Sequence, residues 1–348
     1  MERKKCGDSN LTLPILSIGC WSFGGGSYWG DQDQRDVDAV VDMALDIGCN
    51  YFDTAEAYND GASEESLGKA LKARRSEALI GTKVNPSNTN PNTLREHCEA
   101  SLRRLQTDTI DLYMIHWPIH QHSIQHFTKD ESVINNPPSV AKAFETMTKL
   151  QEEGKIKFIG VSNFGVKQLT EALDTGANII VNELPYNFLM RAIEVEIMPF
   201  CYEKGIGVVS YMPLMQGLLT GKYTTPDDVP PMRRRTRHFS SQRSGSRHGE
   251  KGEEELTFET IRHIKNIADE QNVSMTHLAI AWCMSNPVIN CVLSGVRDVE
   301  QLENNVQATV LLLDSKVITR LNGVTLPLLE RLGANPDYYE NSAMGRSF

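Results

Sequence analysis

The chain has 348 residues, of which 40% are hydrophobic and 23% are charged, a balance typical of a globular protein that buries a large core. Its formal net charge of −10 argues against a broad nucleic-acid-binding surface or an anionic membrane partner. No apolar stretch follows the charged N-terminus, and no run approaches the roughly 18 apolar residues that span a bilayer, so we expect a cytoplasmic protein.

The seven cysteines are odd in number, widely scattered and without a close Cys-x-x-Cys pair. Several of them lie inside apolar segments. We therefore expect buried free thiols in a reducing compartment.

Short apolar segments alternate with amphipathic helical segments along most of the chain. Strands are predicted near residues 15–19, 49–53, 78–83, 110–116, 156–161, 179–183, 206–210 and 289–294. Alternation of strands and helices indicates a parallel sheet, and eight such units indicate a closed barrel. We predict an α/β fold, a (β/α)8 TIM barrel in one domain over residues 1–348. An N-terminal β-hairpin within residues 1–14 covers the barrel floor, and a C-terminal extension follows over about 312–348.

The loop after the first predicted strand is rich in glycine and aromatic residues. Its glycines, between Gly24 and Gly30, do not give the G-x-G-x-x-G spacing of a dinucleotide-binding loop. Trp21, Tyr28 and Trp29 in the same loop instead predict an apolar wall of a substrate pocket. Trp117, which follows a later strand, is expected to line the same pocket.

Four chemically distinct side chains stand at or just after successive strand ends: Asp53, Tyr58, Lys83 and His116. In a parallel barrel these ends open on one face, so the four side chains are expected to converge as a proton-transfer site. The Lys83 ammonium would lower the pKa of the Tyr58 phenol, Asp53 would pair with Lys83, and His116 would orient a carbonyl oxygen. The structural alternative is an Asp53–Lys83 ion pair with His116 and Tyr58 merely packed in the core.

The motif FDTAEAY at residues 52–58 resembles the signature of the aldo-keto reductase superfamily, and these four residues match its catalytic tetrad. The resemblance runs from about Leu13 to Asn305. The motif GLLTGKY at residues 217–223 resembles most closely the branch of bacterial inositol-cluster reductases and potassium-channel β subunits. This resemblance implies an NADP(H)-dependent oxidoreductase that interconverts a small-molecule carbonyl compound and an alcohol. The channel relatives imply an alternative, a cofactor-binding regulatory protein with little turnover.

The segment after His116 contains His120, His122 and His126, which raises the question of a metal site. No cysteine and few carboxylates lie nearby, so we predict a solvated active-site loop and no metal. A metal-dependent barrel hydrolase is accordingly the least favoured of three functions.

Polar and aromatic residues end three later strands, as holding a nicotinamide ring and its carboxamide requires. The resemblance assigns Ser162, Asn163 and Glu183 to the carboxamide and Tyr211 to stacking on the ring. Glu183 stands where the family usually has Gln. A carboxylate accepts a hydrogen bond from the amide NH2 but cannot donate one, which weakens that assignment.

Two further segments resemble the parts of the family that hold the rest of the dinucleotide. The pyrophosphate loop would use Leu214, Gln216, Gly217 and Lys222, and the adenosine end would use Gly295, Arg297, Gln301 and Asn305. Because Arg297 would neutralise a ribose phosphate, NADP(H) is favoured over NAD(H).

A polar insertion over about residues 224–255 carries six arginines between Arg233 and Arg247. It is too long for a passive connector, so we expect a lid that orders when cofactor binds, or a disordered segment. Its charge suits a phosphate-bearing ligand, a solvated face or an interaction site. The tail at residues 335–339 is expected to close over the substrate. The sequence leaves the substrate, the reaction direction and the oligomeric state open.

Overall fold

The computed structural model describes residues 1–347, and its centre is a closed barrel of eight parallel strands, which confirms the predicted (β/α)8 architecture. Phe348, the last residue of the predicted C-terminal extension, lies outside the described residues. The barrel strands are β3 (Leu16–Gly19), β4 (Tyr51–Asp53), β5 (Leu79–Val84), β6 (Ile110–Ile115), β7 (Ile156–Ser162), β8 (Ile179–Pro185), β9 (Gly207–Tyr211) and β10 (Ile289–Gly295). Pairing of β10 with β3 closes the barrel, because Val292 lies opposite Leu16 and Gly295 opposite Gly19.

The predicted N-terminal hairpin is also confirmed, formed by β1 (Arg3–Lys5) and β2 (Thr12–Pro14). Around it, Cys6 and Leu13 pack into the same buried cluster as Leu112 and Val209 from the barrel strands. The hairpin therefore fills one end of the barrel interior with side chains, which leaves the opposite end for a site.

Twelve α-helices lie among the described residues. They are α1 (Gln34–Asp46), α2 (Ala62–Leu71), α3 (Pro91–Leu105), α4 (Gln121–Ile124), α5 (Glu131–Asn135), α6 (Val140–Glu152), α7 (Val166–Leu173), α8 (Ile197–Glu203), α9 (Glu254–Glu270), α10 (Met275–Ser285), α11 (Val299–Val306) and α12 (Ser315–Leu332). Apolar stripes such as Val37, Val40 and Val41 of α1 are fully buried, because they form the layer between helices and strands. Over residues 1–347, none of these helices is both long and apolar enough to cross a membrane.

The insertion at residues 224–255 is folded mainly as irregular chain with two short 3-10 helices, Pro226–Asp228 and Pro231–Arg233. It is held to the C-terminal tail through Arg237, whose guanidinium donates hydrogen bonds to the carbonyl oxygens of Leu332 and Asn335. The tail is itself held by Asp337, which is paired with the Arg346 guanidinium. Insertion and tail together form a wall at the carboxyl ends of the strands. All seven cysteines are free and buried, as expected.

Candidate active site

A cavity of about 1000 Å3 opens at the carboxyl ends of the barrel strands. Asp53 is the last residue of β4, Lys83 lies near the end of β5, and His116 directly follows β6. Asp53, Tyr58 and His116 line the cavity, whereas Lys83 is fully buried behind them. The four residues that the sequence placed at strand ends therefore do converge, and the shared orientation of parallel strands is the cause.

Lys83 is the centre of the buried charge network. Its ammonium donates to Asp53 Oδ1 at 2.7 Å, Asp53 Oδ2 at 2.6 Å and the Thr54 carbonyl oxygen at 3.0 Å. The Glu183 Oε1 atom lies 3.3 Å from Nζ. Burial alone would lower the pKa of Lys83, but the charges of Asp53 and Glu183 outweigh it and raise the pKa, so the ammonium persists at neutral pH.

The Tyr58 ring packs against the other members of the tetrad. Its centroid is 5.2 Å from Lys83 Nζ and 5.7 Å from the centroid of the His116 ring. We expected Lys83 to lower the pKa of Tyr58, and the net direction was wrong. Burial raises the pKa above its usual value, and this effect exceeds the opposing effect of the ammonium. The phenol is therefore protonated at neutral pH.

His116 is neutral at physiological pH. Burial, followed by the positive charges of Lys83 and Arg346, holds the pKa of this imidazole well below its usual range. Its Nδ1 atom is buried and has no hydrogen-bond partner within residues 1–347. A neutral imidazole can position a carbonyl oxygen without competing with Tyr58 as an acid.

The four residues predicted to hold a nicotinamide form one hydrogen-bonded group. The Tyr211 hydroxyl donates to Asn163 Oδ1 at 2.6 Å, and Asn163 Nδ2 donates to the His116 carbonyl oxygen at 3.1 Å. The Ser162 hydroxyl donates to the Glu183 carbonyl oxygen at 3.1 Å. Within this group, the Glu183 Oε2 atom is buried and has no hydrogen-bond partner in the described chain. All four side chains line the cavity, so a nicotinamide fits here if Asn163 exchanges its protein partners for the carboxamide.

The loop after β9 has an unusual backbone. Met212, Met215, Gln216 and Gly217 all have positive φ angles, between 42° and 100°. Conformations of this kind are rare for residues other than glycine and occur mainly at functional sites. A Cβ atom at Gly217 would lie 3.1 Å from the Lys222 ammonium nitrogen, so the loop brings backbone and positive charge together. The four predicted pyrophosphate residues all line the cavity, namely Leu214, Gln216, Gly217 and Lys222.

Arg233, from the insertion, is a cation at this loop, and the sequence analysis considered it only as one of six clustered arginines. Its Nη1 donates to the Gln216 carbonyl oxygen at 3.2 Å, and its guanidinium lies 5.4 Å from the Trp29 ring centroid. The cluster of arginines was the only sequence signal, and it did not distinguish this residue from its neighbours.

The predicted adenosine end also lines the cavity, through Gly295, Arg297, Gln301 and Asn305. The guanidinium of Arg297 is engaged with the loop after β3. It donates to Gln32 Oε1 at 2.9 Å, to the Trp29 carbonyl oxygen at 2.8 Å and to the Asp31 carbonyl oxygen. A ribose phosphate at Arg297 therefore shares the guanidinium with these groups or displaces them.

Trp21, Trp29 and Trp117, three of the residues predicted to form a substrate pocket, line the cavity. Tyr28 was predicted to line it but does not. Its ring stacks on Trp21 at a centroid distance of 4.8 Å, and its hydroxyl donates to Gln216 Oε1 at 2.6 Å, which holds it behind the wall. Tyr339 lines the cavity from the tail, near the segment expected to close it. Three further lining residues come from distant segments, namely Phe127, Arg235 and Arg346. The sequence analysis considered Arg235 only as one of the six arginines of the insertion and gave no role to the other two.

A histidine cluster does form outside the cavity. Ligand atoms of His122, His126 and Glu340 lie within 4.8 Å of one another. However, Arg247 is paired with Glu340, and burial followed by the charges of Arg247 and Arg346 lowers the pKa of His126 to about 4. Those two guanidinium charges oppose a cation, and the expectation of a metal-free site remains a prediction.

The comparisons with known proteins agree with this geometry. The model of the aldo/keto reductase family matches residues 15–325. The NADH-specific methylglyoxal reductase of Escherichia coli is 31% identical over 328 residues, which cover 88% of this chain and 93% of that protein. A probable voltage-gated potassium channel subunit beta of Arabidopsis thaliana is 28% identical over 351 residues, which cover 95% and 96% of the two chains.

Solved structures are also similar to this chain over most of its length. The glycerol dehydrogenase AKR11B4 from Gluconobacter oxydans aligns with a TM-score of 0.74 and 26% identity over 96% of this chain and 97% of that chain. The holo form of the aldo-keto reductase AKR11C1 from Bacillus halodurans aligns with a TM-score of 0.72 and 25% identity over 93% and 96%. Since the family model spans nearly the whole barrel, the chain belongs to the aldo/keto reductase family of oxidoreductases.

Proposed function

We propose that this protein is an NADP(H)-dependent aldo-keto reductase that interconverts an aldehyde or ketone and an alcohol, with Tyr58 as the general acid. The observation that carries this proposal is the arrangement of a protonated phenol and a neutral imidazole, 5.7 Å apart between ring centroids, on the wall of one cavity. Behind them lies the ammonium of Lys83, paired with Asp53. These groups are the components of proton transfer to a carbonyl oxygen.

Each tetrad residue has a distinct role in this mechanism. A bound nicotinamide supplies or accepts the hydride. Tyr58 gives its proton to the carbonyl oxygen, and the fixed charge of Lys83 stabilises the phenolate that forms. Asp53 holds that ammonium in place through both carboxylate oxygens. His116, being neutral, orients the carbonyl oxygen beside the phenol, and Trp21 and Trp117 limit the access of water.

NADP(H) is the proposed cofactor rather than NAD(H). Lys222, Arg233 and Arg297 place three positive charges on the cavity wall from the loop after β9 to the segment that precedes α11. Three positive charges suit NADP(H), which carries one phosphate more than NAD(H). One relative is an NADH-specific methylglyoxal reductase, so both cofactors belong in the assay.

The alternative is a regulatory subunit that binds cofactor and turns over little. It is supported by the potassium channel beta subunits among the relatives, such as the one from Arabidopsis thaliana. Such a protein would retain cofactor through dialysis and copurify with a partner, while an active reductase would show brisk turnover.

The test is NADPH consumption with aromatic, aliphatic and sugar aldehydes, with NADH in parallel. We expect Tyr58→Phe to reduce turnover at least ~10²-fold with cofactor affinity unchanged, because only the proton donor is lost. Tyr202→Phe is the matched control, since that tyrosine is 77% exposed. Full activity in Tyr58→Phe would show that the assignment of Tyr58 is wrong. Bound cofactor without turnover in the wild type would favour the regulatory alternative.

A further inference from the structure

We propose that the substrate carries an anionic group, a carboxylate or a phosphate, that binds between Arg235 and Arg346 at the outer wall of the cavity. This inference rests on the proposed carbonyl reduction and names its class of substrate. Both arginines line the cavity, one from the insertion and one from the tail.

Arg346 is a preorganised donor. It is only 4% exposed, and its Nε and Nη2 atoms donate to the two carboxylate oxygens of Asp337 at 2.7 and 2.9 Å. Its guanidinium lies 3.6 Å from the centroid of the Trp117 ring. One edge and one face of the group are thus fixed, while Nη1 donates to no protein atom within residues 1–347. A stacked guanidinium with one free edge is suited to hydrogen bonding an oxyanion.

Arg235 supplies a charge without a counter-ion. It forms no ion pair within the described chain, and its Nε is buried without a hydrogen-bond partner. Its guanidinium lies 5.6 Å from the centroid of the Tyr28 ring. A partly desolvated cation beside a cavity is stabilised when an anion occupies that cavity.

The other charges of the cavity are already accounted for. Asp53 and Glu183 are committed to Lys83, and Asp298 and Glu300 lie at the α11 end. Arg247, which also lines the cavity, is paired with Glu340. Lys222 and Arg233 stand beside the loop at Gly217 and are placed to meet the cofactor phosphates. Arg297 is assigned above to a ribose phosphate. Arg235, which forms no ion pair within the described chain, is left for the substrate, and Arg346 adds its free Nη1 although its Nε and Nη2 are paired with Asp337.

Both arginines pack on aromatic rings that connect them to the proposed catalytic residues. Trp117 directly follows the catalytic His116, and Arg346 stacks on it. On the other side, Trp21 lies 5.8 Å from Tyr58 between ring centroids, and Tyr28 under Arg235 stacks on Trp21. The proposed substrate therefore carries its anionic group and its carbonyl on one ring or short chain, as 4-formylbenzoate does.

The experiment compares 4-formylbenzoate with its methyl ester, which differ in charge but share the ring and the aldehyde. We expect kcat/KM of the wild type to be at least ~10-fold higher for the acid, from the ordinary strength of charge-assisted hydrogen bonds. Arg235→Gln should reduce this acid-to-ester ratio about tenfold, mainly through KM of the acid. Glyceraldehyde 3-phosphate compared with glyceraldehyde distinguishes phosphate from carboxylate recognition.

The matched control is Arg243→Gln, in the same insertion but paired with Glu254 and Asp227, which should keep the wild-type ratio. Arg346→Gln leaves Asp337 buried without its partner and can fail to fold. Arg346→Lys is therefore measured as well, because lysine keeps the positive charge but lacks the paired N–H donors of the guanidinium. The Arg235→Gln result tests the proposal whether or not the Arg346 variants fold.

A binding measurement separates this inference from the proposed function. Quenching of tryptophan fluorescence in the cofactor-loaded protein compares benzoate with benzamide. Tighter binding of benzoate that is lost in Arg235→Gln, without reduction of any aldehyde, would support the anion site and refute the reductase. Reduction of acid and ester at equal rates would overturn the anion site alone. A higher KM for NADPH in Arg235→Gln with an unchanged ratio would assign Arg235 to the cofactor and overturn it as well.

Discussion

Glu183 is the residue at which this chain departs from the pattern it otherwise resembles. Burial, followed by the neighbouring charge of Asp53, raises the pKa of Glu183 well above its usual value. A protonated carboxyl has one O–H donor, which the usual glutamine provides through its amide. The orphan Oε2 of Glu183, on the cavity wall, can therefore serve the nicotinamide carboxamide as a donor at low pH.

This chemistry predicts a pH dependence of cofactor binding. Because the pKa of Glu183 is raised, the donor is present below that pKa and lost as the pH rises through it. We expect KM for the cofactor to increase as the pH rises through that pKa in the wild type and to stay flat in Glu183→Gln, measured by steady-state kinetics over the whole pH range in which both proteins remain folded. Glu183→Ala should raise KM at every pH. The same slope in wild type and Glu183→Gln would contradict this role.

For single residues, the sequence predicted which side chains converge but not the direction in which burial shifts their pKa values. Asp53, Tyr58, Lys83 and His116 were predictable because β-strand ends of a parallel barrel share one face. The net direction of the Tyr58 pKa was not, since it depends on burial by groups distant in the chain. Arg346 was equally unpredictable, because its stacking on Trp117 joins the tail to the loop after β6.

Among the elements, the insertion at residues 224–255 is anchored by a buried histidine. His238 is completely buried, and its Nε2 lies 2.8 Å from the Leu189 carbonyl oxygen while Nδ1 lies 3.1 Å from the Thr236 hydroxyl. The neutral ring satisfies both contacts by donating to the first and accepting from the second. Burial lowers the pKa of His238 to about 3.

Protonation of His238 therefore opposes folding in acid. The pKa of His238 is lowered from 6.5 to about 3, so the folded form binds this proton only at a lower pH than the unfolded form does. The free energy of unfolding therefore falls as the pH drops below 6.5. Between pH 6.5 and 4.5 this one group should lower the free energy of unfolding by about 2 kcal/mol. Urea unfolding at both pH values should show a smaller loss for His238→Gln. The exposed His263→Gln should match the wild type, and equal losses in all three proteins would exclude His238 as the cause.

The contact between insertion and tail gives a second prediction for this element. Arg237 is 1% exposed and donates to the carbonyl oxygens of Leu332 and Asn335. Arg237→Met leaves both acceptors without partners, so we expect a loss of about 2 kcal/mol and faster proteolysis of the tail after α12. Arg331→Met is the control, since Arg331 is 61% exposed and pairs with Glu253 at the surface. Unchanged proteolysis would mean that other contacts hold the tail.

For the whole molecule, the cavity is assembled from segments that no local pattern connects. The barrel supplies the tetrad, the loop after β3 supplies Trp21 and Trp29, and the insertion and tail supply Arg235 and Tyr339. Strand and helix positions followed from hydrophobic periodicity, which is local. The packing of insertion on tail depends on contacts such as Arg237 with Leu332, across 95 positions of sequence, and periodicity carries no information about them.

The same assembly makes the hypothesis of a lid testable. The insertion contributes Arg233 and Arg235 to the cavity wall, beside the loop expected to hold the pyrophosphate. Cofactor that binds only the closed form should slow amide hydrogen exchange across residues 224–255 and stabilise the protein by about 2.7 kcal/mol at a hundredfold excess over Kd. Lys222→Met, with weaker phosphate binding, should need more NADPH for equal protection. If exchange is the same with and without saturating NADPH, the insertion is a fixed wall of the cavity and not a lid. Substrate would then have to enter past Arg235 and Arg346 without any opening of the insertion.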